Sequence, residues 1–481
     1  MGVLSNLEPK EVFHYFEELC SIPHPSYKEE KISDYCVSFA KAHNLKVYQD
    51  ELKNIIMIKE ATTGYENVQP IILQGHLDMV CEKEPDYEID FENDGLTLSV
   101  EGDFITAKGT TLGGDDGIAV SYALAILASD TIVHPKLEVI FTVSEEVGME
   151  GAAGIDVSML EGRKLLNLDS EEEGYLLTSC AGGCSAECIL PVSWEEKTGT
   201  AIDITVTGLL GGHSGVEIDK GRANSNTLLG RILLESCNNT EYAIVSLSGG
   251  AKDNAIPRET KARVMVDRNQ ADVFIASMEA IGKAVSAEFS TSDPDIRITA
   301  VPAGEVTTQV LSKDTAQKAV LLITQLPNGI QRMSADIEGL VETSLNLGVM
   351  TLNKERLSLR YALRSSVKTS KEYLFTKLKA LVEYFGGRIV CSGDYPAWEY
   401  KKDSKLREDM IGIYKKMYGK EPVIQAIHAG LECGILSNKL PGLDCISFGP
   451  DMSGVHTVEE KLSISSTKRV WEYLLEVIRC R

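Results

Sequence analysis

The chain has 481 residues, 43% of them hydrophobic and 25% charged. That is an ordinary globular balance, with enough length for roughly two or three domains. Forty-eight basic against 71 acidic residues leave a formal net charge of −23, with no Lys/Arg cluster. This excludes the usual signature of a nucleic-acid partner or of an anionic-membrane partner. No apolar run reaches membrane-spanning length, and the N-terminus lacks the basic, apolar and small-residue parts of a secretory signal. Eleven scattered cysteines read as reduced thiols, so a cytoplasmic location is expected.

In chain order, amphipathic helices are expected over 8–20 and 28–44, with Pro23 and Pro25 punctuating the gap. Short β-branched apolar runs at 54–59 and 70–74 predict buried strands. Residues 116–129 are apolar nearly all round, which predicts a helix sandwiched inside the fold. Buried strands are expected again at 137–143 and 164–168. Such alternation predicts an α/β domain with a largely parallel or mixed sheet, whose ligands bind outside the carboxyl ends of the strands. After about residue 182 the texture changes. Strands are expected at 185–190, 201–206, 243–248 and 262–266, with helices at 222–236 and 271–289. A second round follows, with strands near 295–301, 342–350 and 355–363 and helices near 312–325 and 370–385. This is either a duplicated unit or one enlarged domain. A helix at 405–418, a strand at 443–448 and a helix at 463–480 close the chain. The expected architecture is a discontinuous α/β domain, 1–182 and 396–481, with a second α/β domain, 183–395, inserted into it.

Five motifs carry chemistry. In Gln74-Gly75-His76-Leu77-Asp78, an extended backbone turns His76 and Asp78 to the same side. His76 is a candidate metal ligand, and Asp78 the carboxylate that holds its other ring nitrogen. Thr111-Leu112-Gly113-Gly114-Asp115-Asp116-Gly117 leads into the apolar helix. Taken alone, Asp115 or Asp116 is a helix cap, and the segment lacks the Lys-Ser/Thr ending of a phosphate loop. Ser144-Glu145-Glu146-Val147-Gly148 puts two adjacent carboxylates at a buried strand end, a costly arrangement unless they are paired or metal-bound. Asn167-Leu168-Asp169-Ser170 and Gly454-Val455-His456-Thr457 add an acid and a histidine. Each is an unremarkable turn in isolation; together they converge on one pocket. In the middle segment, Gly211-Gly212-His213-Ser214-Gly215 presents a histidine among glycines. Asn254 and Arg364 lie in the same segment, and Arg364 suits either a bidentate carboxylate contact or an ion pair. His14, His43 and His134 read as surface residues, His24 as a turn residue and His428 as lining the site. Cys180, Cys184 and Cys188 recur every four residues and read as small apolar fillers, since no zinc or iron–sulfur spacing fits them.

In this order the motifs resemble the M20 metallopeptidases, and within them the aminoacyl-histidine (Xaa-His, carnosine-type) dipeptidases. The resemblance rests on LQGHLDMV, KGTTLGGDDGI, EEVGMEGA, NLDSEEEG, GGHSGVEI, DNAIP, HAGLECG and GVHT, and it spans the chain. It implies a zinc-peptidase catalytic domain with an inserted lid. It implies two zinc ions per subunit, replaceable by cobalt or manganese, with Asp115 bridging them. His76 and Asp169 would complete one ligand set, Glu146 and His456 the other. Glu145 would be the general base for a shared water that attacks the amide of a dipeptide, and Asp78 would orient His76. His213 would meet the oxyanion, with Asn254, Arg364 and the Gly430 backbone gripping the substrate. Homodimerisation through the lid is a further implication. Asp116 departs from the pattern, standing where relatives often carry Asn, next to a bond that resembles a cis peptide of the family. Related activities on the same pattern are tripeptidase, aminopeptidase and N-acyl amino acid deacylase. A silent binding protein is the remaining alternative, and the intact Glu145 argues against it.

Overall fold

A computed structural model describes residues 2–237 and 240–480. The chain divides into two compact units, Met1–Cys180 with Tyr400–Ala426 and Leu431–Arg481, and Ala181–Glu399 with Ile427–Gly430. The second unit thus takes in four residues from the segment expected to close the first.

Among the described residues, the first unit is built on an eight-stranded sheet. Its strands lie in the order Lys46–Gln49, Ile55–Lys59, Leu137–Thr142, Ile71–His76, Lys164–Asn167, Asp444–Ser447, Tyr175–Cys180 and Val423–Ile427. The four strands from Leu137–Thr142 to Asp444–Ser447 run parallel, and their neighbours Ile55–Lys59 and Tyr175–Cys180 pair antiparallel. The sheet is therefore mixed. Ile71–His76 and Leu137–Thr142 are buried along their whole length, which is why they read as unbroken apolar runs rather than alternating ones. The helix Gly114–Ala128 is buried from Ile118 to Leu127. It lies inside the unit, in contact with the strand Ile71–His76 and the helix Lys10–Cys20, and Tyr122 stacks on Trp471 of the C-terminal helix with centroids 5.9 Å apart. That last helix, Ile464–Arg479, is capped by Ser463, whose hydroxyl accepts the Ser466 N–H. A smaller four-stranded sheet joins Met452–Ser453, Lys461–Ser463, Phe104–Ala107 and Leu98–Glu101.

The second unit is a nine-stranded antiparallel sheet with the helices Ser225–Ser236, Ala271–Glu288, Lys313–Gln325 and Lys368–Tyr384 contributing to its core. The two rounds read from the sequence belong to this one sheet and interleave in it: Arg297–Leu311 of the second lies beside Trp194–Thr207 of the first, and Gly182–Pro191 of the first lies beside Arg356–Ser365 of the second. The halves of the sheet meet where Tyr242–Gly249 pairs with Val341–Leu352 through Ser248–Thr351 and Gly249–Met350. The strand expected near 295–301 runs on as Arg297–Leu311, along Trp194–Thr207. Its outer part is polar and exposed, so no apolar run marks it. No helix among the described residues is long and apolar enough to cross a membrane. All eleven cysteines are free thiols. Cys180, Cys184 and Cys188 are buried. Cys184 groups with Cys391 and Asp394 rather than with its sequence neighbours, and Asp394 there is paired with Lys371 at 2.7 Å.

Candidate active site

Four parallel strands put four carboxyl ends on one edge of the first sheet, and the turns leaving that edge carry the acids and histidines. His76 ends its strand, Glu145 and Glu146 follow Leu137–Thr142, and Asp169 follows Lys164–Asn167. His456 sits between Met452–Ser453 and Lys461–Ser463, which pair as a hairpin beyond Asp444–Ser447. Asp115 arrives on the buried helix. A Cβ on Gly75 would meet Asp116 Oδ2 at 2.6 Å and Ala119 Cβ at 2.8 Å. The glycine is what lets that helix settle against the strand beside His76.

The carboxylate of Asp115 is divided between two histidines. Its Oδ1 lies 3.0 Å from His76 Nε2 and its Oδ2 lies 3.2 Å from His456 Nε2. His456 Nε2 is also 2.9 Å from Glu146 Oε1, and His76 Nε2 is 3.9 Å from Asp169 Oδ1. Donors around a tetrahedral cation at ~2.0–2.1 Å stand about 3.3 Å apart. The side chains therefore fit two neighbouring divalent cations, with one Asp115 oxygen offered to each. Donor atoms of Asp115, Glu146 and His456 lie within 4.8 Å of one another, as do those of His76, Asp116 and Asp169, and of His76, Glu145 and Glu146. Asp116 competes for the His76 set, but its Oδ2 already accepts the His76 N–H at 3.1 Å. Its Oδ1 is buried without a partner. The Asp115–Asp116 peptide bond is cis.

Asp78 ties the set together. Nδ1 of His76 faces the Asp78 carbonyl at 3.0 Å and Asp78 Oδ1 at 3.5 Å. The Asp78 carboxylate accepts the N–H groups of Glu145 and Glu146 at 2.9 and 3.2 Å and the Ser26 hydroxyl at 2.8 Å. One buried acid thus orients an imidazole and holds the turn that carries both glutamates.

The charges are uncompensated. Burial pushes Glu145 up to about 8, with Glu432, Glu146 and Asp115 adding to the rise. Burial, then Asp116 and Asp115, hold Asp169 well above the usual carboxylate range. Burial also raises Asp116. Asp115 is held low: burial opposes ionisation, but the rings of His456 and His76 outweigh it. His456 is raised to about 10 by Asp115 and Glu146. Burial works against a charged His76, yet Asp115 and Asp78 keep it well above its ordinary value. A set of acids that protonates its own histidines is short of positive charge, which is the condition divalent cations relieve.

Several contributors are invisible in the motifs. Glu432, fully buried, accepts from Gln74 Nε2 at 2.5 Å and Thr142 Oγ1 at 2.6 Å, and Gln74 Oε1 accepts from Asn167 Nδ2 at 2.5 Å. This chain of contacts cross-links the three strands that lead to His76, Glu145 and Asp169. Glu29 accepts the Ser144 N–H and hydroxyl, both at 2.8 Å. Glu460 accepts N–H groups of the turn before Asp115. The Asp115 carboxylate faces His76 and His456 and Asp116 Oδ2 takes the His76 N–H, so neither acid caps the buried helix that follows them. One histidine reading is corrected as well: His134 is buried, its Nδ1 2.7 Å from the Pro135 carbonyl. His24, in the irregular segment after the first helix, is also buried, with Nδ1 2.5 Å from the Ile22 carbonyl. His14 and His43 are exposed.

The second unit gathers the opposite chemistry around Gly215. A Cβ there would meet the His428 carbonyl at 2.5 Å, His213 Cε1 at 3.0 Å and Arg364 Nε at 3.2 Å. His213 Nδ1 accepts the N–H groups of Gly215 and Val216, both at 3.2 Å, which leaves the ring proton on Nε2. Arg364 Nη1 donates to the Tyr395 hydroxyl at 3.1 Å, while its Nε is buried without a partner. His428 Nε2 lies 2.7 Å from Ser344 Oγ. The Asn254 carbonyl accepts the Ser214 N–H at 2.9 Å, and Gly430 belongs to the same unit. Burial, then Arg364, hold His213 below its ordinary value, and burial, then Arg364 and His213, lower His428 to about 3. Neutral imidazoles and one guanidinium make a donor-rich cluster suited to an anion.

Residues 72–479 match the model of the peptidase family M20/M25/M40. The chain belongs to that family. It is 36% identical to the cytosol non-specific dipeptidase of Escherichia coli strain K12, over 100% of this chain and 99% of that protein. The crystal structure of the aminoacylhistidine dipeptidase from Vibrio alginolyticus matches with a TM-score of 0.93 and 35% identity, covering 99% of this chain and 97% of that one. A Staphylococcus aureus tripeptidase shares the fold, with a TM-score of 0.55 and 14% identity over 98% of each chain.

Proposed function

We propose that this chain is a cytoplasmic two-metal dipeptidase that hydrolyses Xaa-His and other dipeptides, β-alanyl-histidine among them. The observation that carries the reading is the divided carboxylate of Asp115, with an oxygen 3.0 Å from His76 and the other 3.2 Å from His456. Full-length similarity to dipeptidases supports the substrate class. His76, Asp115 and Asp169 would hold one ion and Asp115, Glu146 and His456 the other, zinc by preference, with cobalt or manganese as substitutes.

When bound, the cations would supply Lewis acidity at the scissile carbonyl and lower the pKa of the attacking water. Glu145 would take a proton from the attacking water on its carboxylate and return it to the leaving amine. A carboxyl raised by burial is suited to both transfers. Asp78 positions His76 and the Glu145–Glu146 turn. His213, with its proton on Nε2, donates to the carbonyl oxygen as charge develops there. Arg364 binds the substrate carboxylate through its free Nε edge, with Asn254 and the Gly430 backbone completing the grip. A carboxylate clamp restricts hydrolysis to peptides that end where the clamp sits. Homodimerisation through the insert belongs to the same proposal and is read by sedimentation.

The test is a substrate panel with metal analysis on one preparation. Chelator-sensitive cleavage of β-alanyl-histidine and other dipeptides is expected, with two ions per chain. Turnover confined to tripeptides, longer peptides or N-acyl amino acids moves the protein to a related activity, and no turnover by metal-replete protein refutes the reading.

A further inference from the structure

The turn that delivers Asp115 to the buried helix has no side-chain cap of its own. Gly113 has no side chain to offer, and Asp115 and Asp116 lie outside helical geometry, at φ −84°, ψ 106° and φ −118°, ψ 31°. Buried N–H groups in such a turn need acceptors. They find one 345 residues away. Glu460 Oε2 accepts from Leu112 N at 2.8 Å and Gly113 N at 3.2 Å, and Oε1 accepts from Gly114 N at 2.8 Å and Asp115 N at 3.4 Å. The Glu460 side chain is buried, with the residue only 3% exposed. A Cβ on Gly114 would stand 3.3 Å from Oε1, so the backbone and the carboxylate are in direct contact.

Glu460 also belongs to the turn that carries His456. Its N–H donates to the Thr457 carbonyl at 3.2 Å, and Thr457 N donates to the Gly454 carbonyl at 3.0 Å. The Thr457 hydroxyl donates to the same Gly454 carbonyl at 2.6 Å and accepts the Glu459 N–H at 3.2 Å. His456 sits in this turn at φ 63°. The turn is closed below by the pairing of Met452–Ser453 with Lys461–Ser463, and the latter strand pairs with Phe104–Ala107. Asp115 and His456 are thus both attached to one carboxylate, Asp115 through its own N–H and His456 through four intervening bonds of a tight turn.

We propose that Glu460 is a positioning residue for the metal centre: it braces the Asp115 turn against the His456 turn and sets their side chains at ligand spacing before a cation binds. The inference rests on the reading of Asp115 and His456 as ligands. A carboxylate suits the task because two oxygens can accept from four converging N–H groups, and an ionised acceptor strengthens each of those bonds. Glutamine keeps the shape but turns an amide NH2 toward N–H donors, so Glu460→Gln removes half of the brace.

The experiment compares wild type with Glu460→Gln. Amide hydrogen exchange of the metal-free proteins is expected to show residues 112–115 protected in wild type and exchanging at least about tenfold faster in the variant. Zinc titration against a chromophoric chelator is expected to show the weaker-bound ion lost by about 10- to 100-fold. The value of kcat for a dipeptide falls in step while KM stays within roughly threefold, as expected when only transition-state interactions are lost. Unchanged zinc affinity and kcat overturn the proposal. So do losses that track a fall in the melting temperature of the metal-free protein, because that is a purely structural role. If the variant does not fold, exchange in the wild type decides: residues 112–115 exchanging like an open loop overturn it. Wild type that binds no zinc overturns the metal reading itself, whereas wild type with two ions and an indistinguishable variant overturns Glu460 alone.

Discussion

The two units bury opposite chemistry. In the first, carboxylates dominate: Glu145, Asp116, Asp169 and Glu432 are all driven upward by burial, and Asp115 and Glu146 lift His456 to about 10. In the second, burial and then Arg364 push His213 and His428 down, the latter to about 3. One region lacks positive charge; the other holds a guanidinium Nε and a serine hydroxyl, Ser214 Oγ, buried without partners. Under the proposed function the contrast would separate two tasks of amide hydrolysis. Acids that hold cations and move a proton would sit where negative charge accumulates. Donors that bind a carboxylate and a developing oxyanion would sit beside a guanidinium, where histidines stay neutral.

The largest effect that can break this contrast is removal of cations. Dialysis against a strong chelator is expected to abolish turnover, and zinc or cobalt to restore it. Activity that survives verified metal depletion would refute the charge argument for the first unit. Next comes Glu145→Gln, which leaves the donor set in place. We expect kcat to fall by about 10²–10⁴-fold with zinc content unchanged by plasma emission analysis. Wild-type kcat, or loss of zinc, removes Glu145 as the base. In the second unit, Arg364→Lys keeps the charge but loses the planar fork. A contact to a charged group is worth about 1.5–3 kcal/mol, so kcat/KM for free dipeptides is expected to drop by roughly 10- to 100-fold. Dipeptides amidated at the C-terminus should be affected far less. Equal losses on both substrates would mean that Arg364 does not read the carboxylate.

How much of this was legible in the sequence follows from distance along the chain. His76, Glu145, Glu146 and Asp169 stand in short motifs at the ends of apolar strands, and strand ends are where an α/β sheet presents ligands. Their gathering on one edge is therefore readable from local pattern. The supports are not. Glu432 meets Gln74 across 358 residues and Glu460 meets Leu112 across 348, and nothing in TVEE or LECG separates a brace from a solvated acid. Edge strands such as Lys46–Gln49 and Arg388–Tyr395 are mostly exposed, so they carry no apolar run to mark them. His134 reads as a surface residue in its loop context; its ring is buried on the Pro135 carbonyl instead. The grouping of His213, Arg364 and His428 around Gly215 depends on the tertiary fold of the insert. Only the glycines of GGHSG hinted at a close approach.

The smallest effect concerns His428 and sharpens the claim that the second unit keeps its histidines neutral. Its pKa is lowered from 6.5 to about 3 by burial, then by Arg364 and His213. Between those values the unfolded chain takes up a proton that the folded chain refuses. Stability from this group is therefore fully present above about pH 6.5 and is lost as pH falls, by about 1.4 kcal/mol per pH unit. Glutamine does not titrate and can still bond Ser344. In urea titrations at pH 7, 6 and 5, the stability of wild type relative to His428→Gln should decline toward acid with that slope. Parallel curves would mean that His428 is free to protonate in the folded protein, and the donor cluster would then carry a second cation below neutrality rather than a neutral imidazole.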